Sequence, residues 1–236
     1  MDVNNRKLKI SRAIYLILVP INFLRSYIKA FLSSFGGVKK DRYFIKTQYV
    51  SRRRNIHLDT SSSTDEYQDE VYAKAKHFFI EKEMNSVLDF GCGSGYKLLK
   101  YFDNVDTVGV ELSPAFDFLK DTYPNRRWIL SDFHNPPEGH FDLVTCIDVI
   151  EHLKNPDELM VYLQQIDFDY VFLSTPDRDK LGYLASFGPP QNLHHIREWG
   201  KQEFIDYVSK YFEGIRSEVV SHHEHFVVAK KFSQAS

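Results

Sequence analysis

The chain has 236 residues, of which 43% are hydrophobic and 15% aromatic, and its formal net charge is −2. This length and composition predict one sizeable domain with a packed core and an extension. The two cysteines, Cys92 and Cys146, fall in a predicted loop and a predicted strand, which argues against a disulfide framework and a zinc site and favours a reducing, cytoplasmic location.

The first 64 residues are predicted to form a basic, partly apolar extension of a domain that spans residues 65–236. Residues 1–54 contain thirteen basic and two acidic residues, whereas the rest of the chain contains seventeen basic and thirty acidic residues. An uncharged run at 13–24 is interrupted by Pro20, and it is shorter than the roughly 20 apolar residues that cross a bilayer. The run therefore predicts a helix that lies on a surface.

Two interpretations of this extension remain open. In the first, its apolar face enters an anionic membrane surface while basic residues from 1–54 meet lipid head groups, which places the protein peripherally on the inner face of the membrane. In the second, the same face covers the acidic domain or closes a homodimer. No specific nucleic acid partner is expected, because the chain lacks a compact recognition motif that interleaves aromatic and basic residues.

A strand, a glycine turn and a helix are predicted at 86–102, after a helix that runs from about Tyr67 to Phe79. The apolar run at 87–90 predicts a short buried strand. Gly91, Gly93 and Gly95 follow at alternate positions. Glycine lets a ligand approach the backbone closely and leaves amide donors free. The segment therefore predicts a nucleotide-type binding loop.

The residues around the glycines narrow the choice of ligand. Gly95 is followed by Tyr96 and Lys97, so the Lys-Ser or Lys-Thr pair of a P-loop is absent. A dinucleotide fingerprint would place its third glycine one position later. Asp89 would repel a pyrophosphate and suits a cationic ligand without phosphate. S-adenosylmethionine (SAM), which carries a sulfonium and an ammonium, is such a ligand.

The segment 87–95, Val-Leu-Asp-Phe-Gly-Cys-Gly-Ser-Gly, resembles motif I of the class I SAM-dependent methyltransferases. The segment 192–199, Asn-Leu-His-His-Ile-Arg-Glu-Trp, resembles the one that leads into the last helix of the ubiquinone-biosynthesis-like group. The resemblance implies a Rossmann-like, doubly wound α/β fold, with a seven-stranded, mostly parallel sheet whose last strand is antiparallel. It also implies SAM as the cofactor. The expected cofactor-binding residues are Asp89, Gly91, Cys92, Gly93, Gly95, Glu111, Leu112, Asp132, Phe133 and Asp148.

The second and third predicted strands provide two of these positions. A strand at 106–111 ends in Glu111, whose carboxylate can accept hydrogen bonds from both ribose hydroxyls, as in dinucleotide folds. Ser113 is predicted to cap the next helix, with Pro114 as its first residue. A strand at 127–130 precedes Asp132 and Phe133. By resemblance, Asp132 accepts a hydrogen bond from the adenine amino group and Phe133 offers its backbone amide to the ring.

The fourth predicted strand, 141–147, ends at Asp148, close to Glu151 and His152. Ligands of an open α/β sheet bind beyond the carboxyl ends of its strands, so this segment should border the reacting methyl group. We predict that Glu151 and His152 orient the loop through hydrogen bonds, without a metal. The alternative is a hard divalent-metal site, because some similar methyltransferases use an acid-x-x-Glu-His arrangement for a metal.

The segment 179–200 is too long for a simple connection and is predicted to be a lid or substrate-binding element. It carries His194 and His195, and a neutral imidazole can accept a hydroxyl proton near neutral pH. His195, together with His152, is the predicted catalytic residue. A helix at 201–212 and an antiparallel pair at 214–221 and 224–230 complete the predicted domain.

The predicted activity is methyl transfer from SAM to a small-molecule acceptor, most directly a hydroxyl. The basic, apolar extension favours an acceptor that is membrane-borne or linked to a lipid. The alternative is a catalytically inactive SAM-binding regulatory or scaffold protein. A nicotinamide-dependent oxidoreductase is disfavoured by the spacing of the glycines.

Overall fold

The computed structural model describes Leu24, Ile28 and residues 40–54, 68–131, 133–180, 185–220 and 224–232. These residues form a seven-stranded sheet with the strand order β3-β2-β1-β4-β5-β7-β6. The strands are β1 (Ser86–Phe90), β2 (Asp106–Glu111), β3 (Arg127–Leu130), β4 (His140–Ile147), β5 (Asp167–Pro176), β6 (Glu213–Val219) and β7 (Glu224–Lys230).

Strands β1 to β5 are parallel, and β7 pairs antiparallel with both β5 and β6. The predicted fold class, with a single antiparallel last strand, is therefore confirmed. The strand order reverses between β1 and β4, and such a switch point is where open α/β sheets bind their ligands.

Helices cover both faces of the sheet, in the doubly wound arrangement. The helices are α1 (Asp69–Glu81), α2 (Tyr96–Phe102), α3 (Ala115–Thr122), α4 (Pro156–Gln165) and α5 (Lys201–Ser209). Leu88 and Phe90 of β1 share one core cluster with α4 and α5, whereas Val87 packs with α1, α2 and α3 on the other face. Because neighbouring strand residues point to opposite faces and both faces are covered, β1 is apolar almost throughout.

The predicted start of α3 is wrong by one residue. Pro114 is the N-cap, with helical dihedral angles, and α3 begins at Ala115. Ser113 therefore lies one position too early to cap the helix. The peptide bond between Ser113 and Pro114 is cis. The end of α5 at Ser209 is also earlier than predicted, whereas the bounds of β2, β3 and β7 agree with the prediction.

Residues 40–54, which we call the strap, pack against the domain although they precede the predicted boundary at residue 65. Ile45 is 1% exposed and both Ile45 and Tyr49 belong to the larger core cluster. The strap contacts residues 185–200, which we call the histidine loop, and a bridge between Asp177 and Trp199 ties the end of this loop to β5. The division of the chain at residues 64 and 65 stays a prediction.

Within the ranges given above, no helix is both long and apolar enough to cross a bilayer. The predicted surface helix at 13–24 lies outside the described residues, except for Leu24.

Candidate functional site

The glycine loop, residues 91–95, lies at the carboxyl end of β1 and needs its glycines. Gly91, Gly93 and Gly95 have φ angles of +76°, +57° and +72°, a region that residues with a Cβ adopt at a cost. A Cβ on Gly91 would lie 2.4 Å from a methyl carbon of Val149. The loop therefore approaches its neighbours with backbone alone.

Glu111 joins the glycine loop to the end of β2. One carboxylate oxygen accepts a hydrogen bond from the backbone N–H of Gly93 at 2.7 Å, and the other accepts one from Leu112 at 2.8 Å. The side chain of Leu112 beyond it is 48% exposed. An acidic group and an open apolar side chain thus lie beside the loop, as a ribose and an adenine require.

Asp89 is buried beneath the loop and fully enclosed. Its carboxylate accepts hydrogen bonds from the hydroxyl of Tyr72 at 2.8 Å and from that of Thr145 at 2.7 Å. Burial raises the pKa of Asp89 to about 6. Asp89 therefore supports the loop, and a direct contact with the cofactor stays a prediction.

Gly109 and Trp128 form a layer under the glycine loop that the sequence analysis missed. A Cβ on Gly109 would lie 2.4 Å from the Trp128 ring and 2.8 Å from Sγ of Cys92. The Cys92 side chain is buried, and burial raises the pKa of its thiol well above the ordinary value. The available signal was a glycine in the interior of a strand, which often marks a close approach of another group.

The expected adenine side of the site is described in part. Phe133 has a φ of +56°, and its ring lies 5.5 Å from that of Phe90 and 5.7 Å from that of Tyr162, centroid to centroid. Its contact with adenine stays a prediction. Asp132, like Tyr67, lies outside the described residues.

Asp148 follows β4 and is held by β5. Its backbone N–H donates to the Ser174 hydroxyl at 3.1 Å, and that hydroxyl donates to the Asp148 carboxylate at 2.7 Å. Glu224 of β7 hydrogen-bonds to Asp148, and burial together with the charge of Asp148 raises the pKa of Glu224 to about 9. The Glu224 carboxyl group therefore keeps its proton at neutral pH. Ser174 and Glu224 were missed because only the pairing of β5 with β4 and with β7 brings them here.

Glu151, His152 and His195 converge next to this pair. One ligand atom from each lies within 4.8 Å of the others. Glu151 is completely buried, and its Oε2 accepts a hydrogen bond from Thr175 at 3.2 Å. Its Oε1 has no hydrogen-bond partner in the described part of the chain and lies 3.8 Å from Nε2 of His152 and 4.0 Å from Nε2 of His195.

The two histidines differ in the partners of their ring nitrogens. Nδ1 of His152 lies 2.9 Å from the carbonyl oxygen of His194, and Nδ1 of His195 lies 2.7 Å from the Glu198 carboxylate. Nε2 of His195 faces the Asn192 amide and keeps its lone pair, whereas His152 also hydrogen-bonds to the Asp148 backbone. Burial lowers the pKa of His152 to about 4. The predicted catalytic histidines are therefore together, and His152 is neutral at physiological pH.

Comparisons with known proteins show which family the chain belongs to. The methyltransferase domain family matches residues 64–234. The mitochondrial ubiquinone biosynthesis O-methyltransferase of Saccharomyces cerevisiae is 25% identical over 139 residues, which are 52% of this chain and 44% of that protein. The chain spans less than half the length of the curated relatives it matches.

Two solved structures show the same fold. The methyltransferase domain of bacterial CtHen1-C has a TM-score of 0.55 and 19% identity, covering 70% of this chain and 99% of that one. The magnesium protoporphyrin IX methyltransferase of Synechocystis PCC 6803, solved with S-adenosylhomocysteine (SAH), has a TM-score of 0.54 and 15% identity, covering 72% and 89%. The chain belongs to the methyltransferase domain family, and residues 64–234 form a class I SAM-dependent methyltransferase domain.

Proposed function

We propose that the protein transfers a methyl group from SAM to a hydroxyl of its acceptor, and that Glu151, His152 and His195 hold a divalent cation beside the reacting centre. The observation that carries the proposal is the buried Oε1 of Glu151, which has no hydrogen-bond partner among the described residues and lies 3.8 Å and 4.0 Å from the Nε2 atoms of His152 and His195. The sequence analysis kept a metal site of Asp148, Glu151 and His152 as its alternative, and this proposal takes up that alternative with His195 in place of Asp148.

The residues present fit the cofactor. The glycine loop offers backbone without side chains, Glu111 offers a carboxylate at the tip of β2, and Leu112 offers an exposed apolar surface. When bound, SAM supplies an electrophilic methyl group on a sulfonium. The carboxyl groups of Asp148 and Glu224 lie at the neighbouring strand ends, and their oxygens can accept hydrogen bonds from the ammonium group of a cationic ligand.

The residues present also fit a cation. A carboxylate oxygen and two imidazole nitrogens are ligands that divalent transition metals accept. Each histidine has an acceptor beside its Nδ1, as metal-binding histidines commonly do. When bound, the cation supplies positive charge that lowers the pKa of a neighbouring hydroxyl. In the described structure the Asn192 amide lies 2.9 Å from Nε2 of His195, so this amide must move before the nitrogen can bind a cation.

The alternative role for His195 is that of a general base, as the sequence predicts. His195 is 7% exposed, and Asn192 and Glu198 contact its two nitrogens. These contacts support a holding role more strongly than proton exchange with a mobile acceptor. Full turnover of His195→Ala with saturating acceptor and no added cation would exclude both roles.

The test is methyl transfer from radiolabelled SAM to a panel of phenols, catechols and ribose hydroxyls, with Mn²⁺, with Mg²⁺ and with EDTA. We expect transfer to a hydroxyl that is lost in EDTA and restored by the cation. Transfer that EDTA does not affect would contradict the cation site. SAH binding without transfer to any acceptor would favour the inactive regulatory or scaffold protein.

We also propose that the acceptor is membrane-borne or lipid-linked and that the extension binds an anionic membrane from its cytoplasmic side. Leu24 and Ile28 are helical, four residues apart, and 59% and 49% exposed, which supports an open apolar face more than one that covers the domain. The full chain should sediment with vesicles that contain anionic lipid, and Arg25→Glu combined with Lys29→Glu should reduce the bound fraction. Equal sedimentation with neutral and anionic vesicles would contradict this proposal. The homodimer stays a prediction.

A further inference from the structure

The strap is hydrogen-bonded along the histidine loop, although it precedes the part of the chain that matches the methyltransferase family. The backbone N–H of Val50 donates to the carbonyl oxygen of Phe187 at 2.8 Å, and that of Arg52 donates to Ile196 at 2.7 Å. The Arg52 guanidinium also donates to the carbonyl oxygen of Pro190. These contacts place the strap beside the residues that carry His195.

Tyr49 of the strap is connected to the His195 ring through Glu198. Its side chain is 8% exposed, and its hydroxyl accepts a hydrogen bond from the backbone N–H of Glu198 at 2.9 Å. The Glu198 carboxylate in turn accepts a hydrogen bond from Nδ1 of His195 at 2.7 Å. The Tyr49 hydroxyl therefore holds the residue that sets the direction of the imidazole.

The Tyr49 ring is closely enclosed. The Arg178 guanidinium lies 4.7 Å from the ring centroid and donates to the carbonyl oxygen of Glu198 at 2.8 Å. A Cβ on Gly188 would lie 2.7 Å from a ring carbon of Tyr49 and 2.5 Å from the carbonyl oxygen of Val50. Glu198 is thus held at its N–H by Tyr49 and at its carbonyl by Arg178, with no free space beside the ring.

We propose that Tyr49 is a positioning residue for the site and that the strap completes the site from outside the family-matched domain. The physical reason is that Glu198 is buried and its N–H needs an acceptor. Without the Tyr49 hydroxyl, the Glu198 backbone loses its fixed position and the His195 imidazole loses its direction. The effect of Tyr49 on cation binding rests on the proposed function, whereas its effect on the amide hydrogen exchange of the histidine loop does not.

The first test compares Tyr49→Phe with Tyr211→Phe. Both rings are buried, and the Tyr211 hydroxyl donates to Asp157 at 2.7 Å, away from the histidine loop. We expect Tyr49→Phe to weaken Mn²⁺ binding by up to about tenfold, the lower end of the loss when a direct partner of a ligating histidine is removed, because Tyr49 acts through Glu198. Amide hydrogen exchange at 192–200 should become faster, and the Kd for SAH should stay the same. Tyr211→Phe should change none of the three.

The second test introduces a steric clash between the histidine loop and the strap instead of removing a hydroxyl. Gly188 and Gly214 have nearly equal φ angles, +67° and +66°, so alanine strains both backbones alike. In the described chain, no atom lies within 4 Å of a Cβ on Gly214, whereas one on Gly188 would collide with Tyr49. Gly188→Ala should therefore accelerate exchange at 192–200 and weaken Mn²⁺ binding, and Gly214→Ala should do neither.

The outcomes separate the two proposals. If the wild-type protein binds no Mn²⁺, the cation site fails, and hydrogen exchange alone decides the role of Tyr49. Faster exchange in Tyr49→Phe and Gly188→Ala than in their controls supports the positioning role. Exchange at 192–200 that is unchanged in both variants overturns it, as does equal Mn²⁺ affinity in the wild type and Tyr49→Phe.

Discussion

The Glu111 carboxylate at the end of β2 accepts a hydrogen bond at 2.7 Å from the backbone N–H of Gly93, in the loop that follows the neighbouring strand β1. This contact fixes the tip of β2 against the glycine loop. The negative charge lies where a ribose is expected, and the loop backbone lies where the amino-acid part of SAM is expected. The two predicted halves of the cofactor site are therefore adjacent in the described structure.

The pH dependence of stability should report the burial of Asp89. Its pKa is raised from 3.8 to about 6 in the folded protein, so between these values the folded state keeps a proton that the unfolded state has lost. Stability from this group is therefore greatest below about pH 4 and falls as the pH rises to about 6, by at most about 3 kcal/mol. The measurement is urea denaturation of the wild type and Asp89→Asn between these pH values.

Asp89→Asn isolates this group because an amide oxygen can still accept the Tyr72 hydroxyl hydrogen bond. The free energy of unfolding of the wild type minus that of the variant should decrease from low to high pH across this range. A difference that is constant with pH would show that Asp89 keeps an ordinary pKa in the folded protein.

Gly109→Ala should destabilise the domain through Trp128. The added Cβ would lie 2.4 Å from the ring, and overpacking of this kind costs about 1–3 kcal/mol. In a Trp128→Leu background the same substitution should cost less, because the colliding ring atoms are gone and contacting sites are not additive. Equal costs in the two backgrounds, measured by urea denaturation, would rule out the contact.

Glu151→Gln should remove the response of the protein to a divalent cation. The wild type is expected to gain roughly 5–10 °C in thermal midpoint at about 100 times the Kd for Mn²⁺. Glu151→Gln should show no gain and no loss of stability without the cation, because a neutral amide replaces a buried carboxyl group that lacks a full set of partners. Glu138→Gln, at an exposed position, is the control and should respond like the wild type. An equal gain in Glu151→Gln would place the cation elsewhere.

The sequence predicted the parts of the fold that depend on neighbours in the chain. The apolar runs defined β1 to β4, and the alternate glycines with Glu111 defined the cofactor side, because strand, turn and helix are local patterns. The position of Asp148 at the end of β4 followed from the same argument.

Contacts set by long-range pairing could not be predicted from the sequence. Thr145 binds Asp89 because β1 and β4 pair at those residues. His195 meets Glu151 because the backbone N–H of Ile196 donates to the Glu151 carbonyl oxygen at 2.8 Å, and no periodicity indicates that bond. The charge of residues 1–54 indicates either an anionic surface or packing on the acidic domain, and it does not indicate which residues of the strap pack.

The most direct test of the account is calorimetric titration of SAH into the wild-type protein, Glu111→Ala and Glu83→Ala, the last being exposed in the turn before β1. We predict one SAH per chain in the wild type and in Glu83→Ala. Glu111→Ala should bind at least about tenfold more weakly, because each hydrogen bond to a charged group contributes about 1.5–3 kcal/mol. No binding to the wild type, or equal affinity in Glu111→Ala, would contradict the assignment of the cofactor site.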